Sequence, residues 1–218
     1  MATVLDPILN SPRFPHYLRQ LQEAFKVEQR KREHFYQTIT DEDKAEFING
    51  EIVFHSPVKM QHDRVSQLLA TLMGSYVRSR QSGYVGHEKL LISLSRNDYE
   101  PDVCFFNVEK ARLFTRHQMR FPAPDLAVEI LSESTEARDR GIKFEDYAAH
   151  GVTEYWIVDP EAETVEQYLL EEGQYKLAVK VKDALLRSPT IPGFAIPARA
   201  IFDETQNLQT LRQLLEQV

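Results

Sequence analysis

Apolar residues recur at three- and four-residue steps in two long segments, and this spacing predicts two amphipathic helices. The first helix is expected over residues 17–35. The second is expected between Pro57 and Gly83, and its apolar positions are Val65, Leu68, Leu69, Leu72, Met73, Tyr76 and Val77. A third helix is predicted over 136–150, between capping Ser and Thr residues and Gly151.

Short runs rich in Val, Ile, Leu, Phe and Tyr predict β-strands between these helices. Four such runs are expected in the core, at 84–94, 102–106, 126–131 and 154–158. Their order with the helices is helix, strand, strand, strand, helix, strand. This order predicts an α/β fold of the α+β type with a mixed sheet.

Turn residues predict two hairpins in addition to that core. Asn49-Gly50 separates two apolar runs, and both residues tolerate positive φ, which favours a two-residue hairpin. A second hairpin is expected for 164–181 around Glu171-Glu172-Gly173, and a short helix that contains Leu211 and Leu214 is expected near the C-terminus. No linker-like segment divides the chain, so we expect an N-terminal helical extension at 1–40 and one domain at 41–218.

Composition and charge restrict the function classes. No apolar run approaches a membrane span, and nothing near Met1 marks the chain for secretion, so we expect a cytoplasmic protein without a membrane partner. Cys104 is the sole cysteine and excludes an internal disulfide; we expect it in the core. The net charge of −7 argues against a nucleic-acid partner, because phosphate binding uses clustered Lys and Arg.

The charge is unevenly distributed along the chain. Residues 1–40 hold six Lys or Arg and four Asp or Glu, or +2, which leaves −9 for the remainder. Arg30, Lys31 and Arg32 form a basic cluster that either touches phosphate or is a solvated helix end. DNA binding by this chain would therefore need a local positive patch or a homo-oligomer such as a dimer.

Two carboxylates interrupt apolar strands. Asp102 begins the apolar run Val103 to Phe106, and Glu129 lies inside the run Leu126 to Leu131. A buried carboxylate is costly unless a cation or several hydrogen bonds compensate it. On neighbouring strands the two acids could hold a divalent cation such as Mg²⁺ or Mn²⁺. Alternatively, Glu129 pairs with an Arg or Lys, and Asp102 caps a turn.

Two further residues could complete such a site. Lys143 shares one helical stripe with Asp139 and Tyr147 and could reach back to the sheet, although an exposed ion pair with Asp139 fits equally. His62 falls on the buried face of the second helix, where a core histidine and a site-facing histidine are the alternatives.

The chain resembles the Uma-type family of the PD-(D/E)XK, or restriction-endonuclease-like, superfamily over about residues 46–203. The motifs that carry the resemblance are Glu46-Phe47-Ile48-Asn49-Gly50-Glu51, Ser56-Pro57 with His62, Pro101-Asp102-Val103, Pro124 to Ser132, Asp139 with Lys143 and Tyr147, Gly151 to Pro160, and Pro192-Gly193-Phe194.

The resemblance implies a metal-dependent endonuclease that hydrolyses DNA, with Asp102 and Glu129 as metal ligands and Glu46 and His62 near the site. One position departs from the superfamily pattern: Leu131 stands where a lysine follows the acid by two residues. Related families supply that lysine from the next helix, which points to Lys143. The alternative is a non-cleaving nucleic-acid-binding or regulatory module that retains the nuclease fold.

Overall fold

A computed structural model describes residues 4–40 and 42–216. The helices are α1 (Asp6–Leu9), α2 (Phe14–Thr38), α3 (Met60–Ser79), α4 (Val108–Ala111), α5 (Glu136–Asp139), α6 (Ile142–Ala149) and α7 (Glu204–Glu216), with a 3-10 turn at Ala198–Ile201. The strands are β1 (Ala45–Ile48), β2 (Glu51–Phe54), β3 (Gly83–His87), β4 (Leu91–Ser93), β5 (Asp98–Tyr99), β6 (Val103–Asn107), β7 (Arg120–Phe121), β8 (Leu126–Ile130), β9 (Glu154–Asp159), β10 (Thr164–Glu171), β11 (Gln174–Val181), β12 (Leu185–Arg187) and β13 (Ala195–Pro197).

Two larger sheets form the framework. The six-stranded sheet has the order β11-β10-β9-β8-β6-β3, and the five-stranded sheet has the order β2-β1-β5-β4-β7. In the six-stranded sheet β8 and β9 are parallel, whereas β6 pairs antiparallel with both β3 and β8. The predicted order α3, β3, β6, β8, α5–α6, β9 and the mixed sheet are confirmed.

Apolar side chains join these elements in layers. Helix α3 and the C-terminal segments bury one face of the six-stranded sheet, through residues such as Leu69, Leu72 and Trp156. The other face packs against α6 and the five-stranded sheet, where Tyr147 and Tyr155 lie. Helix α2 covers the far side of the five-stranded sheet with Phe35. Successive residues of a strand face opposite sides of the sheet. A carboxylate on the side of the six-stranded sheet that faces α6 and the five-stranded sheet is therefore buried between the two sheets.

The Asn49-Gly50 hairpin is confirmed, because β1 and β2 pair antiparallel and the φ angles of the two turn residues are 51° and 83°. Both angles lie in the left-handed region that a tight hairpin turn requires. The hairpin β10–β11 is also present. None of the helices in the described part of the chain is long and apolar enough to cross a membrane.

Two predicted elements are divided in the structure. The expected strand 84–94 is β3 and β4, which belong to different sheets, because Glu88 and Lys89 adopt positive φ of 50° and 40° and redirect the chain. The expected helix 136–150 is α5 and α6, which are separated at Gly141. Thr135 precedes α5 without a side-chain capping bond, so the predicted hydroxyl cap is wrong at that residue.

Candidate metal and nuclease site

Asp102 and Glu129 lie on adjacent strands, as the sequence predicted. Asp102 directly precedes β6, and Glu129 belongs to β8; these strands pair through Val103 and Val128, so the same register sets the two acids opposite each other. Asp102 is 7% exposed and Glu129 is 3% exposed. Both line a cleft of about 800 Å³. The strand pairing therefore brings together two acids that are 27 positions apart (129 − 102).

The cleft lies between two chain segments that leave the sheets. One wall is the connection from β2 to α3, from Val53 to His62, and the other is the connection from β8 to α5, from Glu129 to Arg138. Lys143 is also part of its lining. The acids thus stand at the inner end of an opening that is large enough for a small ligand, since such pockets hold roughly 300–1000 Å³.

Lys143 directs its ammonium into the carboxylates. Its Nζ lies 2.9 Å from Glu46 Oε1, 3.2 Å from Glu129 Oε2 and 3.3 Å from Asp139 Oδ1, and the residue is 1% exposed. The break at Gly141 separates α5 from α6, yet Asp139 and Lys143 still meet. Lys143 therefore places a buried cation beside Glu129. Its alternative as an exposed partner of Asp139 is wrong, because the contact is buried.

In the cluster of Lys143 with Glu46, Glu129 and Asp139, the pKa values depend on one another. Burial alone would lower the pKa of Lys143, but the carboxylates of Glu129, Glu46 and Asp139 together raise it well above its ordinary value. Burial raises the pKa of Glu129 well above its usual range, with further increases from nearby carboxylates and a decrease from Lys143. Burial also raises the pKa of Asp139. The site consequently keeps its lysine charged and holds carboxylates that favour an additional cation.

Asp102 is fixed by three neighbours. Its Oδ2 accepts a hydrogen bond from the Ile130 amide at 2.8 Å and lies 3.4 Å from His62 Nε2, while its Oδ1 lies 3.7 Å from Lys44 Nζ. Burial raises the pKa of Asp102, but His62 and Lys44 outweigh it, so the pKa is lowered. His62 therefore faces the site and is not an isolated core histidine. Asp102 does not cap a turn, because its carboxylate accepts the amide of Ile130 on the neighbouring strand.

Glu46 is fully buried behind the cleft. Its Oε1 contacts Lys143 and accepts the Glu100 amide at 3.0 Å, and its Oε2 lies 3.4 Å from His55 Nε2. Burial raises the pKa of Glu46, yet Lys143 and His55 lower it below the ordinary value. Glu51, the other acid of the same motif, pairs with Lys31 on the surface. Of these two acids, Glu46 is the one that contacts the cluster.

Sequence reasoning missed two residues of this neighbourhood, Glu100 and His55. Glu100 lines the cleft, and burial together with the Glu46 carboxylate raises its pKa to about 7. The signal for Glu100 was its place immediately before Pro101-Asp102. His55 follows Val53 by two residues and so shares the inner face of the hairpin. Neither signal stands out, because both residue types are common near turns.

The donor chemistry fits a hard divalent cation. Carboxylate oxygens of Asp102 and Glu129 reach the same open cleft, and oxygen ligands are those that Mg²⁺ and Mn²⁺ prefer. Within residues 4–40 and 42–216, no three Asp, Glu, His or Cys side chains are arranged around one ion position. Mg²⁺ commonly takes one or two protein carboxylates and retains waters, so a pair of acids is a sufficient set.

All three cations of the basic cluster at 30–32 contact carboxylates. Arg32 is buried and donates to Asp98 at 2.7 and 2.9 Å, and to the Leu94 carbonyl at 2.7 Å. Lys31 lies 2.7 Å from Glu51, and Arg30 lies 3.4 Å from Glu23. Both predicted alternatives, a phosphate contact and a solvated helix end, are wrong for Arg32, because its guanidinium joins α2 to the five-stranded sheet.

The family model described as "Uma2: Putative restriction endonuclease" matches residues 32–199. The chain belongs to the Uma2 family. The matched part contains the whole cleft with its acids and Lys143, whereas α1, most of α2 and α7 lie outside it. Membership in the Uma2 family thus agrees with the resemblance that the motifs predicted.

Two relatives of this Uma2 protein extend the comparison. The uncharacterized protein sll1609 of Synechocystis sp. is 30% identical over 128 residues, which are 58% of this chain and 72% of the relative. The crystal structure of an Anabaena variabilis protein, described as "a putative nuclease belonging to DUF820", superposes with a TM-score of 0.66 at 19% identity. That superposition covers 81% of this chain and 96% of the Anabaena chain, and it establishes the shared fold.

Proposed function

We propose that this protein is a divalent-metal-dependent endonuclease that hydrolyses DNA phosphodiester bonds. The observation that carries the proposal is the meeting of Lys143 with Glu129 at 3.2 Å, at the inner end of a cleft that Asp102 also lines. An acid pair can hold a hard divalent cation, and a nearby lysine can stabilise charge that develops on the phosphate. Membership in the Uma2 family supports the same activity.

In this proposal Asp102 and Glu129 hold Mg²⁺ or Mn²⁺. When bound, the cation supplies a more acidic water and stabilises negative charge on the phosphate. Lys143 orients the attacking water and neutralises charge that develops in the transition state. Its raised pKa keeps it protonated for that task.

Glu46 and His62 act as positioning residues. Glu46 holds the Lys143 ammonium from the side away from the cleft, and its contact of 2.9 Å is the shortest of the three that Lys143 makes with carboxylates. His62 steadies the Asp102 carboxylate together with the Ile130 amide. Each restricts the orientation of a group that must point at the metal or the water.

A nicking assay on supercoiled plasmid tests this function. We expect cleavage with Mg²⁺ or Mn²⁺, none in EDTA, and a loss of roughly 100-fold or more for Asp102→Asn and Glu129→Gln. Glu161→Gln is the matched control, because Glu161 is an exposed acid that lines the same cleft away from the cluster. DNA binding without cleavage under every metal would instead support a non-cleaving module that retains the nuclease fold.

Other expectations from the sequence belong to this proposal. We propose that the protein acts in the cytoplasm and binds DNA as a homo-oligomer, such as a dimer, which light scattering with and without DNA can measure. The division into an extension at 1–40 and a domain at 41–218 is a further proposal. Limited proteolysis tests it, and a resistant fragment that begins well before residue 41 would contradict it.

A further inference from the structure

Acidic residues line much of the cleft, which is unfavourable for an approaching polyanion. Besides Asp102 and Glu129, the lining includes these acids: Glu100, Glu133, Glu136, Asp159 and Glu161. A DNA backbone carries one charge per phosphate and binds through Lys and Arg. Some of the cations in the cleft must therefore remain available to phosphate.

Most cations of the cleft are already paired with carboxylates. Lys143 contacts Glu46, Glu129 and Asp139, and Lys44 lies 3.7 Å from Asp102. These cations compensate buried acids, so they are not free to bind the phosphates on either side of the reacting one.

Arg138 and Lys59 differ from the other cations. Neither forms an ion pair with any residue of the described chain, and they stand on opposite walls of the cleft. Arg138 belongs to α5, next to Asp139 of the Lys143 cluster, and Lys59 directly precedes α3. A strand that places one phosphate at the acids would run through the cleft that these two residues also line.

The Nε–H group of Arg138 is buried and has no hydrogen-bond acceptor in the described part of the chain. A buried donor without a partner is costly and rare, and a guanidinium is the group that binds phosphate oxygens through two parallel hydrogen bonds. Its neighbour Arg140 shows the usual outcome, since it contacts Glu166 at 2.8 and 3.1 Å. The missing acceptor at Arg138 is one that a ligand can supply.

We propose that Arg138 and Lys59 form a phosphate-binding subsite that holds the DNA phosphates next to the reacting one. This inference rests on the proposed nuclease function and assigns the contacts with the strand that this function needs. Arg138 supplies the directional contact through its planar guanidinium, and Lys59 supplies a point charge from the other wall. The pair explains how a chain of net charge −7 admits a DNA strand to an acidic cleft.

Fluorescence anisotropy with a labelled DNA duplex tests the subsite, using the full-length protein in EDTA so that no hydrolysis occurs. We expect Arg138→Gln to weaken binding roughly 10- to 100-fold. We also expect the slope of log K against log salt to fall by about 0.9 for each lost contact. Lys59→Gln should reduce the slope similarly, and Arg138→Lys should retain the slope while binding more weakly than the wild type.

Arg187→Gln is the matched control, because Arg187 is exposed, lies outside the cleft and changes the net charge equally. An Arg138→Gln protein with wild-type affinity and salt slope would overturn the subsite. The melting temperature should change little in this variant, because no side-chain hydrogen bond or ion pair within the described chain is lost.

The same proteins separate failure of the subsite from failure of the proposed function. Plasmid nicking by the wild type, combined with unchanged binding by Arg138→Gln, would leave the nuclease function standing and remove the subsite. Weakened binding by that variant, combined with no nicking under any metal, would support the subsite and contradict hydrolysis. Absence of both DNA binding and nicking by the wild type would overturn both.

Discussion

Replacement of Lys143 by methionine tests the central feature of the site. The substitution keeps a long unbranched side chain and removes the charge that contacts Glu46, Glu129 and Asp139 at 2.9, 3.2 and 3.3 Å. Removal of one partner of a buried ion pair costs about 3–5 kcal/mol, because the remaining charge is uncompensated. We expect a decrease of this size in the free energy of unfolding of the metal-free protein at pH 8.

The decrease should depend on pH in a defined direction. Without Lys143, the folded-state pKa values of Glu129 and Asp139 rise further above their unfolded values, and the lowered pKa of Glu46 also rises, because burial and mutual repulsion favour the protonated forms. For Glu129 and Asp139, both states are protonated below the unfolded pKa, and the penalty from these two groups is absent there. Above it the unfolded state releases protons that the folded state retains, so the penalty grows as the pH rises. The penalty of Lys143→Met should therefore be smaller at pH 5 than at pH 8, while the part that comes from Glu46 persists at pH 5.

Urea unfolding in EDTA at pH 5 and pH 8 measures the loss of stability and its dependence on pH. Plasmid nicking measures the loss of activity. Glu46→Gln in the Lys143→Met background should recover part of the stability, because one uncompensated charge is gone, but the nicking rate should stay roughly 100-fold low. Lys176→Met is the charge control, since Lys176 pairs with Glu171 on the surface and such pairs contribute at most about 1 kcal/mol. Equal urea midpoints for Lys143→Met and the wild type at both pH values would refute this reasoning.

Three further predictions concern the metal, Arg32 and acid pH. Saturating Mg²⁺, at about 100 times its dissociation constant, should stabilise the wild type by about 2.7 kcal/mol and leave Asp102→Asn unchanged in thermal unfolding. Arg32→Met should cost about 3–5 kcal/mol in urea unfolding, because it leaves the buried Asp98 carboxylate unpaired, while the salt dependence of DNA binding stays at the wild-type slope. The hydrogen bond from Arg140, opposed by burial, lowers the pKa of Glu166 to about 2, so this stabilisation is present above pH 4.5 and is lost as the pH falls toward 2. Glu166→Gln should consequently flatten the stability profile between pH 4.5 and 2, and an unchanged profile would contradict the assignment.

Local patterns in the sequence predicted the elements where neighbours along the chain decide the conformation. The stripe of α3 and the Asn49-Gly50 turn are such cases, since helical spacing and tolerance of positive φ are properties of a few adjacent residues. The breaks at Glu88-Lys89 and at Gly141 escaped prediction. At these points the chain passes between sheets or reorients a helix, and no repeating apolar pattern marks the change.

The residues of the site also differ in whether the sequence could predict them. Asp102 and Glu129 were predictable because a carboxylate inside an apolar run conflicts with burial, and the conflict is visible in the sequence. The unpaired state of Arg138 was not visible, because it depends on which acids lie within reach after folding. The same holds for Glu100, whose raised pKa arises from its burial beside Glu46, 54 residues earlier.

The sequence by itself determined the amphipathic helices, the hairpins and the two acids that interrupt apolar strands, because these features follow from residue types at short spacing. Tertiary structure alone decided the partners of the charges. Arg32 appeared to belong to a surface cluster, yet it is paired with Asp98 across 66 residues. Lys143 had Asp139 as its local partner, and packing added Glu46 and Glu129 from two different sheets. Ion pairing depends on distance in space and on loss of water, and both are set only when the layers close on one another.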